Sequence, residues 1–119
     1  MEELTVYFNP SCSKCRTARG ILAELGIEAE YVEYLKRAPT RGELERLMRL
    51  LGIDEPRAMM RTGEPVYAEL RLESAGRDEL LDAMARHPIL IERPIVIRGD
   101  RAVIARPPER VLELLDRAP

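Results

Sequence analysis

Apolar and polar positions follow two rhythms along this chain, and the points where one gives way to the other outline its elements. Leu4-Thr5-Val6-Tyr7-Phe8 is a short run rich in β-branched and aromatic residues and predicts a first strand. Asn9-Pro10-Ser11 is turn chemistry. Beyond it Ala18, Ile21, Leu22 and Leu25 recur at helical spacing, which predicts an amphipathic helix over Ser13–Leu25 that stops at Gly26. Ala29 to Leu35, with Tyr31, Val32 and Tyr34, reads as a second strand. A helical crossover between two strands places them parallel.

Thr40 and Glu43 stand at capping-box spacing ahead of Leu44, Leu47, Met48 and Leu51, so a helix is expected there, ending at Gly52. Pro56 to Arg61 predicts a short helix, Thr62 to Pro65 a break, Tyr67 to Leu72 a helical stretch, and Arg77 to Arg86 a helix with Leu80, Leu81 and Met84 inward. Residues 40–86 thus read as an all-helical insert. After His87-Pro88, the second half of Ile89–Ile97 is a strand by composition, Gly99-Asp100 a tight turn, and Ala102 to Ala105 the antiparallel return. Arg106-Pro107-Pro108 opens a last helix with Val111, Leu114 and Leu115 facing in.

Composition narrows the class. A chain of 119 residues holds one domain with a real core. With 45% hydrophobic and 34% charged residues it reads as a soluble globular protein, and a net charge of −2 gives no reason to expect a nucleic-acid or anionic-membrane partner. No apolar run approaches a membrane span. The start Met1-Glu2-Glu3 is acidic with no apolar segment behind it, unlike an export signal, so a cytoplasmic location is expected. There, a close cysteine pair is mostly reduced and cycles instead of acting as a structural staple. Only Lys14 and Lys36 among the 19 basic residues are lysines, leaving 17 arginines. Genome composition accounts for most of these; a few could serve through the planar fork that suits oxyanions.

Both cysteines, Cys12 and Cys15, fall where the first strand meets the first helix. The N–H groups of a first helical turn carry partial positive charge and favour a thiolate, and Lys14 and Arg16 lie in the same turn. Cys12, ahead of the helix and expected to be partly exposed, is the candidate nucleophile. Cys15, one turn in, is either a resolving thiol or a small apolar packing residue. Two cysteines and one histidine make a zinc site a poor fit, and no metal is expected. Arg61, Arg93 and Arg106 each stand beside a break in the pattern, and guanidinium groups of this kind hold an oxyanion that a thiolate attacks; the alternative for each is a solvated surface charge. Asn9 reads as a turn residue or an accessory group at the thiolate. His87 reads as a cap or packing residue, and Met48, Met59, Met60 and Met84 as core.

The order β-α-β, helices, β-β-α is that of the thioredoxin fold with a helical insert between the second and third strands. An α/β fold in a single domain over 1–119 is therefore expected. In that fold a Cys-x-x-Cys occupies the first strand–helix junction, as it does here. A proline, commonly cis, precedes the third strand and faces the cysteines; Pro94 has that place, so a cis Arg93–Pro94 bond is expected.

With these residues in view, the chain resembles the glutaredoxin-coupled arsenate reductases over nearly its whole length. The resemblance rests on Asn9-Pro10-Ser11-Cys12, Tyr34-Leu35 followed by Pro39 to Leu44, Arg57-Ala58-Met59-Met60-Arg61, His87 to Ile91, Arg93-Pro94-Ile95-Val96 and Arg106-Pro107. It implies that Cys12 attacks arsenate to form a covalent thiol–arsenate adduct, that Arg61, Arg93 and Arg106 hold the oxyanion, and that glutathione and glutaredoxin supply electrons without a bound cofactor. Two departures stand out. The best-known members carry histidine where this chain has Phe8, and they lack a cysteine at the place of Cys15. The second opens an internal Cys12–Cys15 disulfide and a thioredoxin-type donor. It also brings in the Spx-like regulators, which share the fold and a Cys-x-x-Cys and bind the α subunit of RNA polymerase. Arg106 is the residue expected to separate the two, in favour of the reductase.

Overall fold

The computed structural model describes residues 3–115, and the acidic start at Met1-Glu2 lies outside them. The described residues divide into two compact units, one made of those up to Tyr34 together with those from Arg93 onward, the other of Leu35–Glu92.

The first unit is built on a four-stranded sheet. Its strands are β1 (Leu4–Phe8), β2 (Ala29–Glu33), β3 (Ile95–Arg98) and β4 (Arg101–Ile104), in spatial order β2-β1-β3-β4. β1 runs parallel to β2, from Leu4 opposite Ala29 to Phe8 opposite Glu33. β3 lies antiparallel to β1, with Val6 opposite Val96, and pairs with β4 through the hairpin at Gly99, whose φ of 59° a side chain would resist. Helix α1 (Ser13–Glu24) crosses from β1 to β2. This is the thioredoxin-like arrangement that the element order implied. Alternation along β1 aims Leu4, Val6 and Phe8 at one face, where they form a core with Leu22, Val96, Val103, Val111 and Leu114. Both cysteines belong to that core.

Leu25, expected to face inward, is instead 52% exposed. The reason is the helix stop. Gly26, at φ 71°, donates its N–H to the carbonyl of Ala23, and Ile27 donates to that of Leu22, so the chain turns past Leu25 and packs Ile27 on the core in its place. The same Leu-Gly-Ile triplet at residues 51–53 closes the next helix identically: Gly52 donates to Arg49 and Ile53 to Met48. At the other end of the chain the last helix is a 3-10 turn, Pro108–Val111, running into a single α turn, α5 (Leu112–Leu115), which follows the three α-helices of the second unit.

In the second unit α2 (Arg41–Leu51) begins with the expected capping box: the Thr40 hydroxyl accepts from the Glu43 N–H at 3.1 Å and the Glu43 carboxylate from the Thr40 N–H at 2.8 Å. Thr40→Ala should cost about 1 kcal/mol of unfolding free energy in urea melts. α4 (Arg77–Arg86) matches the predicted span, and Arg41 of α2 bonds Asp78 and Asp82 on it. Between them the elements depart from the predicted ones. The break at Thr62–Pro65 ends earlier than expected, because Pro65 is the first residue of a helix, α3 (Pro65–Glu69). The helical stretch to Leu72 does not continue through Leu70. Arg71 sits at φ 55°, and Leu72–Ser74 forms a separate 3-10 turn. Pro56–Met59 and Pro88–Leu90 are 3-10 turns as well. Leu80, Leu81, Met84 and the methionines 48, 59 and 60 are buried. His87 caps the end of α4, as read.

Among the described residues no helix is long and apolar enough to cross a membrane, and no group of three or more His, Cys, Asp or Glu side chains is placed to hold a metal ion.

Candidate active site

The turn between β1 and α1 sets the geometry of the cysteines. Asn9 folds it twice over: its carbonyl accepts the Cys12 N–H at 2.9 Å, and its side-chain Oδ1 accepts the Ser11 N–H at 2.9 Å. Arg16 ties the turn from the helix side through a bond to the Pro10 carbonyl at 2.9 Å. Asn9 is thus a turn residue by its side chain. Its backbone N–H is directed at the Cys15 sulfur.

Cys12 is the cap residue of α1 and, against expectation, is only 8% exposed. Burial by itself pushes its thiol up. The Cys15 backbone N–H, the Cys15 thiol, the Lys14 backbone N–H and the Arg93 guanidinium all donate toward its sulfur and outweigh that cost, so its pKa lies below the ordinary thiol value. Helix geometry delivers two of these donors and the neighbouring cysteine a third. Lys14 acts through its backbone; its side chain, like that of Arg16, is on an exposed residue. Cys15 is the opposite case. It is fully buried and its pKa is pushed up to about 12, first by that burial and then by its hydrogen bond and charge contact with Cys12, with the Asn9 N–H and Arg93 opposing. At neutral pH the pair is therefore an anion-prone sulfur held by a neutral S–H.

A pH profile follows. Alkylation of native protein should label Cys12 alone, with a midpoint below the roughly 8.5 of an ordinary cysteine. Its reactivity advantage should be present between that midpoint and the ordinary value and vanish above it. Peptide mapping after iodoacetamide reads this directly; equal labelling of both cysteines would contradict it.

Arg93 and Pro94 approach from the other side of the first unit, at the entry to β3. The Arg93–Pro94 bond is cis, as expected, and the Arg106–Pro107 bond is cis as well. Arg106, just past β4, donates from Nη1 to the Arg93 carbonyl at 2.9 Å, and the Ala105 N–H reaches the Pro94 carbonyl at 2.9 Å. The first unit thus brings Cys12, Cys15, Arg93, Pro94 and Arg106 into one connected group. Arg61 belongs to the second unit. Its Nη1 lies 2.6 Å from a Glu64 oxygen and its Nε 3.9 Å from Glu92, and its N–H bonds the Leu90 carbonyl at 2.7 Å.

Phe8, where the resemblance led one to look for histidine, is a buried ring packed edge-on to Tyr31 at 5.3 Å between centroids, with the Arg19 guanidinium 4.9 Å from its centroid. It holds no proton to exchange with Cys12. Arg57, in the same motif as Arg61, binds the Tyr67 hydroxyl and the carbonyls of Leu72, Glu73 and Ala75, fixing the loop before α4.

A thioredoxin-like sheet with a Cys-x-x-Cys at its first strand–helix junction and a cis-proline beside it defines the class: a thiol protein of the thioredoxin superfold. The match within that class is specific. Residues 7–114 fit the model of the ArsC family. The chain is similar to an arsenate reductase of Haemophilus influenzae, at 45% identity over 92% of this chain and 97% of that one. It is also similar to one of Neisseria meningitidis, at 42% over 97% of this chain and all of the other. Among solved structures, an arsenate reductase from Vibrio cholerae superimposes with a TM-score of 0.91 at 46% identity, covering 94% of this chain and 97% of that one. The chain belongs to the ArsC family.

Proposed function

We propose that this chain is an arsenate reductase in which Cys12 is the nucleophile. The observation that carries the reading is the convergence on the Cys12 sulfur of two backbone N–H groups, a neutral thiol and the Arg93 guanidinium. That environment suits a thiolate that attacks a small oxyanion, and the relatives named arsenate reductase supply the substrate class. The Spx-like regulator reading draws no comparable support from these relatives.

In the proposed sequence the Cys12 thiolate bonds to arsenic(V), and one arsenate oxygen leaves as water after taking up protons. Arg93 and Arg106 offset the charge of the oxyanion, and the resemblance adds Arg61 as a third holder. Cys15 then attacks the Cys12 sulfur of the adduct. Its proton passes to an oxygen of the departing arsenic, the S–As bonding pair stays on arsenic as arsenic(III), and the two sulfurs are left as a disulfide. The hydrogen bond from Cys15 to Cys12 supports this resolving role over mere packing. Thioredoxin, glutaredoxin or glutathione would reopen the disulfide, with no bound cofactor, and a reducing compartment such as the cytoplasm suits the cycle.

Mixing fully reduced protein with arsenate alone tests this. Release of one arsenite per chain with loss of both thiols is the expected result. Release only after glutathione and glutaredoxin are added would return Cys15 to packing. No reduction under either condition would remove the reductase reading.

A further inference from the structure

We propose that Arg106 is a positioning residue for the Cys12 thiolate: by holding the Arg93 carbonyl it fixes the guanidinium of Arg93 on the Cys12 sulfur. This role comes in addition to any contact of Arg106 with an oxyanion, and it rests on the reading of Cys12 as an activated nucleophile.

The geometry is a clasp. Arg93 must send its side chain to a sulfur at the start of α1 while its own backbone leads into β3. Two successive carbonyls of that backbone are gripped from the end of β4. The Pro94 carbonyl accepts from the Ala105 N–H, and the Arg93 carbonyl from the Arg106 guanidinium, both at 2.9 Å. The Pro94 bond extends the β3–β4 ladder beyond Ile95–Ile104 by main chain alone. The Arg93 bond is different, because a side chain makes it, and only a residue long enough to turn back from position 106 can do so. The clasp lies at the point where the chain re-enters the first unit, between the Ile91 bridge to Met60 and the first residue of β3, Ile95. A long guanidinium arm is only as well aimed as the backbone from which it springs. Arg106 remains half-buried among these groups, and its other interactions are compatible with this one, since a guanidinium carries five N–H donors.

The charged and titratable groups facing the Cys12 sulfur are Cys15 and Arg93, with Lys14 contributing through its backbone. If Arg106 acts through Arg93, its removal shifts the pH profile of Cys12 with no oxyanion present, and the shift disappears once Arg93 is gone. The experiment is a double-mutant cycle on iodoacetamide labelling of Cys12, using Arg106→Met and Arg93→Met, which keep an apolar stem while removing the donors. Arg106→Met should raise the midpoint in the same direction as Arg93→Met and slow labelling at neutral pH by roughly tenfold or less. The double variant should match Arg93→Met.

An unchanged midpoint in Arg106→Met overturns the proposal, as does a full additional shift in the double variant, which would mean that Arg106 acts by its own charge. A wild-type midpoint at the ordinary thiol value overturns it together with the activated-nucleophile reading. A low wild-type midpoint raised by Arg93→Met but not by Arg106→Met overturns the positioning role alone. Thermal melts of each variant accompany the cycle. Should Arg106→Met fold poorly, Arg106→Gln, whose shorter amide does not span the distance to Arg93, is read by the same criteria.

Discussion

Cys12→Ser is expected to abolish arsenate reduction while leaving the fold intact. Serine is smaller than cysteine and fits a site that is only 8% exposed. Its hydroxyl, however, remains protonated at any pH near neutrality, so the donors converging on position 12 would face no anion. No other group in the first unit can replace the sulfur: Cys15 is fully buried, its pKa is pushed up to about 12, and it sits behind Cys12 in the hydrogen-bond order. Turnover should therefore drop to the level of solution chemistry, and neither added glutathione nor glutaredoxin should restore it. Arsenite release under saturating reductant is the measurement, with circular dichroism to confirm folding. Activity above a few per cent of wild type would remove Cys12 from the proposed chemistry.

Arg93→Ala carries the second-largest expected effect, because one side chain serves two partners. The loss takes a donor from the Cys12 sulfur, raising its pKa, and also removes a charge proposed to hold the oxyanion. A hydrogen bond to a charged group is worth about 1.5–3 kcal/mol, so the oxyanion contact alone accounts for roughly a tenfold to hundredfold fall in kcat/KM. The lower thiolate fraction adds to it at neutral pH and subtracts nothing at high pH, where wild type and variant both ionise. The deficit should therefore narrow as pH rises. Arg93→Lys keeps the charge without the fork and should recover only part of the loss. A deficit independent of pH would mean that Arg93 serves the oxyanion alone.

Much of this architecture could be read before any coordinates because its signals are local. β1, α1 and α4 follow from apolar spacing, and α2 from the Thr40–Glu43 box and Gly52. The failures share a cause. Pro65 reads as a breaker when it is a helix starter, and nothing near Leu70 announces that Arg71 will take a left-handed turn. Leu25 fits the helical stripe, yet the glycine after it hands its place to Ile27. For the site, the Cys-x-x-Cys and Arg93-Pro94 were legible as motifs. The use of Arg106 on a carbonyl 13 residues back and the diversion of Arg57 to carbonyls 15–18 residues on exceed any helical or strand period, and the burial of Cys12 depends on the core it shares with Val96, Val103 and Leu114.

The ladder joining β1 to β3 has a consequence for how the protein comes into being. The β1-α1-β2 segment is contiguous and can organise as soon as it is synthesised, whereas β3 pairs with β1 only after the whole intervening stretch has been made. Arg93 arrives with β3. A nascent or half-folded chain can already set the Cys15 and Lys14 donors on the Cys12 sulfur, whereas the Arg93 guanidinium reaches it only when the β1–β3 pairing closes. The setting of Cys12 is in this sense assembled in two stages, its local donors with the first helix and its charged one on closure of the sheet.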